Sequence, residues 1–161
     1  MKTVVLITCT KSKFVGIHKA EKLYAKSNNF VKYLACAKLL ADYQDIFVIS
    51  ALHKLVPLYR EIEWYDCTLK GKSEQEINAW GKSVAEQLTK LYDIDKTKVI
   101  VLADNDYCSA LKPYLPCMDT PLEGFGCDPK GYNQLDAYVI SFIENSTQND
   151  NEIMERMKTP C

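Results

Sequence analysis

"TVVLITC" (Thr3–Cys9) decides the fold. The run has no charged residue and is rich in β-branched side chains, the composition of a strand buried on both faces. Such strands belong to parallel sheets covered by helices, because a sheet with one wet face would alternate apolar and polar residues. "IFVIS" (Ile46–Ser50) and "KVIVLA" (Lys98–Ala103) repeat the pattern. Helical spacing separates them. Phe30–Ala41 sets Phe30, Val31, Leu34, Ala37 and Ala41 along one stripe. Ser73–Tyr92 opens with Ser73 three residues before Glu76, a capping-box spelling, and continues with Ile77, Trp80, Val84, Leu88 and Leu91. A short helix is expected over Asp106–Lys112, stopped near Pro113, and another over Tyr132–Ile143 with Leu135, Tyr138, Val139 and Phe142 inward.

Strands alternating with helices predict the α/β class. The expected architecture is a single three-layer domain over residues 1–144, with a mainly parallel central sheet of about four strands flanked by helices. Residues 145–161 read as a polar C-terminal tail, partly helical or flexible.

The 161 residues suffice for one domain with a real core, and their net charge of −1 argues against a grip on duplex DNA made mainly through its phosphates. A local patch remains: Lys2, Lys11, Lys13, Lys19, Lys22 and Lys26 face only Glu21 within the first 26 residues. No apolar run reaches the roughly 18 residues of a membrane span, so no membrane partner is expected. The apolar stretch Val4–Ile7 is too brief for a signal peptide and reads as the first buried strand. Seven cysteines with no C-x-x-C pair argue against a disulfide framework and against a zinc ribbon. They predict reduced thiols, a cytoplasmic protein, no metal and no cofactor. Oligomeric state is not legible.

In open α/β sheets ligands gather beyond the carboxyl ends of the strands. That rule selects Cys9–Lys13, Ser50–Leu55 and Asp104–Tyr107. His53 is then a candidate proton donor or hydrogen-bond donor, or a half-buried imidazole satisfied by backbone. Asp66, beside Trp64 and Tyr65, can stabilise a cationic transition state while the rings hold a planar substrate; equally, it can cap a turn over core aromatics. Cys9 is either a thiolate activated by Lys11 and Lys13 or the buried end of a strand, with the lysines waiting for a phosphate. "PLEGFGCDPKGY" (Pro121–Tyr132) places glycines at 124, 126 and 131, which departs from the dinucleotide spacing but offers backbone N–H groups before a helix. Glu123 ahead of it either grips hydroxyls or faces water. No Walker loop, nucleophile elbow, zinc-protease or kinase signature is present.

In order, "TCTKSK" (Thr8–Lys13), "AEKLYAKSNNF" (Ala20–Phe30), "SALHKL" (Ser50–Leu55), "WYDCTL" (Trp64–Leu69), "AW" (Ala79-Trp80) and "PLEGFG" (Pro121–Gly126) form a series. It resembles a family of small bacterial and phage proteins known as a domain of unknown function, with the pattern S-C-S-x-x-K, L-Y-x-S-x-x-F, S-A-x-H-G-L, P-Y-D-x-T-L and P-L-E-G-x-G. More remotely the chain is similar to the YaaA peroxide-stress proteins and to uracil-DNA-glycosylase-like domains. By position the resemblance implies Cys9, Lys13, Tyr24, Ser27, Ser50, His53, Tyr65, Asp66, Glu123 and Gly124 as site residues. Lys54 stands where the pattern has glycine, at a turn that favours positive φ.

The resulting expectation is an enzyme acting at the N-glycosidic bond of a nucleotide, nucleoside or nucleic acid, or in base modification. His53, Asp66 and Glu123 are its catalytic candidates. Cys9, Lys11, Lys13, Tyr24, Ser27, Ser50, Tyr65, Gly124 and Gly126 are its substrate-binding candidates. A binding protein for a nucleotide or signalling ligand, and a YaaA-like DNA-binding stress protein, are the alternatives.

Overall fold

The first strand forms as expected: β1 (Lys2–Thr8) buries Val4, Val5, Leu6 and Ile7 completely. The protein is described by a computed structural model that covers residues 1–125 and 128–158. After β1 come β2 (Ile17–Lys19), α1 (Ala20–Leu23), α2 (Asn28–Leu40), β3 (Ile46–Ser50), β4 (Lys54–Pro57) and β5 (Glu61–Glu63). Then follow α3 (Glu74–Leu91), β6 (Thr97–Leu102), α4 (Asn105–Leu111) and α5 (Pro129–Lys158).

The main sheet has four strands in the order β4-β3-β1-β6. β3 and β6 both run parallel to β1, with Val5 opposite Ile46 on one side and Ile100 on the other. β4 pairs antiparallel with β3. This edge strand escapes the sequence pattern because its four residues, Lys-Leu-Val-Pro, are too few to show a period. β2 and β5 form a separate antiparallel ribbon, Ile17 opposite Glu63.

Side-chain alternation along β1 feeds two apolar clusters. Val5 and Ile7 pack with Phe30 and Tyr33 of α2 and with Leu135 and Val139 of α5. Val4 and Leu6 pack with Trp80, Val84 and Leu88 of α3 and with Tyr107 and Leu111 of α4. α3 and α4 approach so closely that a Cβ on Gly81 would lie 2.0 Å from the Ala110 carbonyl oxygen.

The helix starts follow their caps. The hydroxyl oxygens of Ser27 and Ser73 accept from the N–H groups of Phe30 (3.4 Å) and Glu76 (3.2 Å), and Asp104 accepts from Tyr107 N–H (3.4 Å). Lys54 sits at φ 64°, so the tight β3–β4 turn holds a side-chain-bearing residue in the left-handed conformation that glycine adopts without strain. α5 is far longer than the apolar stripe predicts. Its 30 residues continue through the polar segment because no glycine or proline interrupts them after Gly131, and residues 144–152 carry no apolar side chain to reveal the helix in sequence. Among the described residues, no helix is long and apolar enough to cross a membrane.

Candidate functional site

The chain leaves β1 for β3 on one side and later returns to β6 on the other, so the strand order reverses at β1. Crevices for ligands open at such reversals, beyond the strands' carboxyl ends. A cavity of about 720 Å³ lies there. Thr8, Cys9, Thr10, Lys11 and Ser12 reach it from the end of β1, and Asp104 and Tyr107 from the end of β6. Ser27, Asn29 and Tyr33 enter from the first turns of α2, and Asp66, Cys67, Thr68 and Lys70 from the segment after β5. The lining thus combines two lysines, two carboxylates, two thiols and several hydroxyls.

Cys9 is fixed by its own N–H, which donates to the Ile49 carbonyl at 3.1 Å, and its Sγ lies 3.2 Å from the Tyr107 hydroxyl. Burial, and then the neighbouring Cys9, hold the Tyr107 phenol well above its ordinary pKa. The Tyr107 ring in turn packs against Trp80, whose indole N–H donates to the Ser50 carbonyl at 2.9 Å.

Behind this wall stands a buried polar knot. The Tyr65 hydroxyl is hydrogen-bonded to Tyr24 (2.7 Å) and to Ser50 Oγ (2.6 Å). Ser50 Oγ also accepts from the N–H groups of Leu52 and His53 at 3.2 and 3.0 Å, tying the β3–β4 turn to the knot. Burial pushes the Tyr24 phenol up to about 12, and burial raises Tyr65 as well. Lys13 is 4% exposed, with its ammonium 4.6 Å from the centre of the Tyr65 ring and 3.4 Å from the Lys11 carbonyl. Burial lowers its pKa, against the opposing pull of Cys9, Asp66 and Cys67. The His53 ring meets the Tyr65 ring edge-on at 5.1 Å, and its pKa is lowered by burial and then by Arg60.

Of the residues singled out in the sequence, Cys9, Lys11, Ser27 and Asp66 meet in the cavity. Lys13, Tyr24, Ser50, His53 and Tyr65 gather behind it, not in its lining. The expected convergence of His53, Asp66 and Glu123 in one hollow does not form. Glu123 accepts from the Thr120 hydroxyl at 2.7 Å and lies 3.8 Å from Lys112, beside a separate hollow of about 90 Å³. Gly124 has φ 85° and donates its N–H to Asn105 at 3.3 Å. Gly126 lies outside the described residues. The segment rule pointed at Asp104 and Tyr107. It had no means of finding Asn29, Tyr33, Cys67 or Lys70, which reach the cavity from a helix and a loop.

Among the described residues no cluster of three or more His, Cys, Asp or Glu has the arrangement of a metal site. The five described cysteines, at 9, 36, 67, 108 and 117, are free thiols.

A mixed α/β domain with a polar cavity where the strand order reverses is thus the class that fold and site define. More particularly, the chain belongs to the family of unknown function DUF6884, whose model matches residues 4–131 and so spans every residue of the cavity. No curated protein and no solved structure matches it.

Proposed function

We propose that the cavity takes a nucleotide unit and that the protein acts at its N-glycosidic bond. One observation carries this reading: Lys11 and Lys70, four hydroxyl side chains of the Thr8–Ser12 and Ser27 segments, and the carboxylates of Asp66 and Asp104 share one hollow of about 720 Å³. That size suits a small ligand of several rings and groups. An anion fits against Lys11, Ser12 and Ser27, where α2 adds its positive N-terminal end. Tyr33 and Tyr107 are the aromatic side chains in the lining and supply apolar contact for a base.

In this scheme the C1′–N bond breaks and its electron pair leaves with the base, which then takes up a proton. The Asp66 carboxylate faces the sugar, stabilises the positive charge growing at C1′ and orients the water that adds there. Lys13 and His53 are positioning residues, because they act through Tyr65 and the loop that carries Cys9 and Lys11. Helices packed through two separate clusters support a three-layer arrangement, in keeping with the resemblance to uracil-DNA-glycosylase-like domains.

Incubating the protein with nucleosides, nucleotides and modified DNA, and measuring released base by mass spectrometry, tests the proposal. Release is expected from the wild type and at least about 100-fold slower release from Asp66→Asn, as for loss of a group aimed at transition-state charge. Release that persists undiminished in Asp66→Asn counts against it. A second reading, capture without turnover, is favoured by the place of Glu123 and His53 outside the lining. It predicts binding with the ligand recovered intact.

A further inference from the structure

We propose that the nucleotide taken by this cavity is part of a single nucleic-acid strand, whose neighbouring bases stack on Phe14 and Trp64 at the rim. The proposal rests on the nucleotide reading of the cavity. Phe14 and Trp64 are 43% and 46% exposed, and Val15 and Ile17 beside them are 82% and 66% exposed. The two segments are one ribbon: Trp64 donates its N–H to the Gly16 carbonyl at 3.0 Å, next to the β2–β5 pairing.

Both ends of that ribbon run into the cavity. Ser12 lines it two residues before Phe14, and Asp66 lines it two residues after Trp64. Two residues of extended chain span at most about 7 Å, so each ring is anchored within about one nucleotide step of a lining residue. Exposed rings so near a polar hollow along the chain mark a surface that something covers. The charge around them is mixed, and phosphate contact falls to the lysines. Lys11 and Lys70 line the cavity, and Lys26 precedes the lining residue Ser27. The ion pairs among the described residues use Lys2, Lys32, Lys98 and Lys112, so these three lysines are in no contact ion pair, while Asp66 and Asp104 share the lining and Glu61 and Glu63 lie exposed on β5. Aromatic platforms beside free cations are how proteins hold single strands without reading sequence. A single strand also presents its base without the unpairing that a duplex demands.

The test is fluorescence anisotropy with an end-labelled, mixed-sequence DNA octanucleotide, its duplex form, and competition by a mononucleotide, at 50 and 200 mM salt. The octanucleotide is expected to bind at least tenfold more tightly than the mononucleotide. Trp64→Ala and Phe14→Ala should each weaken the octanucleotide about tenfold and leave the mononucleotide unchanged, while Trp64→Phe restores binding. The higher salt should weaken the octanucleotide about tenfold, as for some two or three phosphate contacts. An octanucleotide that gains nothing over the mononucleotide, or a duplex that binds as tightly as the strand, would overturn the inference and leave the nucleotide reading standing. Failure of mononucleotide and octanucleotide alike would defeat that reading itself.

Discussion

The Lys13 ammonium lies 4.6 Å from the centre of the Tyr65 ring, in a residue that is 4% exposed. A cation so deeply placed is held by the ring and by the Lys11 carbonyl, not by a carboxylate in contact. It stands directly behind the loop that presents Cys9 and Lys11 to the cavity. Its burial makes it a strain on stability that a ligand-binding site can retain.

Lys13→Met keeps the apolar stem and removes the buried charge. The variant is expected to be more stable at pH 7 by about 1 kcal/mol, or about 2–4 °C in Tm for a chain of this size. Because burial lowers the native pKa below 10.5, the wild type itself gains stability as pH rises from the native pKa towards 10.5. The advantage of Lys13→Met should therefore shrink across that window. Mononucleotide affinity should fall. Thermal melts at pH 7 and pH 10 check this, and a lower Tm at both would contradict it.

The imidazole of His53 is disfavoured as a cation by burial first and by Arg60 second. Its native pKa lies below the unfolded value of 6.5, so folding is weakened as pH falls through 6.5 to the native pKa and is insensitive to this group above 6.5. Arg60→Gln should move the imidazole titration upward when followed by NMR. His53→Gln should flatten the loss of stability on acidification from pH 7 to 5. An unchanged slope would remove His53 from this role.

Tyr65→Phe deletes the hydroxyl shared by Tyr24 and Ser50. Ser50 Oγ keeps two backbone donors, but the buried Tyr24 hydroxyl loses its bond to Tyr65. The expected loss is about 1–3 kcal/mol in chemical denaturation. A change below about 0.5 kcal/mol would show the knot to be unimportant for stability.

Two backbone positions give opposite signs. Gly81→Ala forces a Cβ against the Ala110 carbonyl and should destabilise the α3–α4 contact by about 1–3 kcal/mol. Lys54→Gly relieves a left-handed lysine at φ 64° and should stabilise by about 1 kcal/mol, somewhat offset by the freer unfolded chain. Denaturant midpoints of the two variants should move in opposite directions.

What could be read from sequence follows from the length of each signal. β3 occupies Ile46–Ser50 as expected, because a charge-free run bounded by polar residues has few alternatives. Ser73 starts α3 because its hydroxyl meets an unpaired N–H that any helix must satisfy. β2, β4 and β5, of three or four residues each, carry no period and arise only from tertiary pairing. The lining of the candidate cavity was half legible. Strand ends identified Cys9, Lys11 and Asp104, yet the same rule placed His53 in the hollow. It failed there because the β3–β4 turn folds straight back into an antiparallel edge pair and carries the imidazole to Tyr65. Strand order, which decides which ends share a crevice, is not written in any one segment.

The central claim is that the hollow between the ends of β1 and β6 is where a nucleotide sits. Amide chemical-shift mapping during titration with a mononucleotide tests it most directly. The account predicts shifts concentrated at residues 8–12, 27–29, 66–70 and 104–107 and quiet amides around Met1, Lys98 and Phe142, which border a different hollow. Shifts centred on that second hollow, or none at saturating nucleotide, would contradict it.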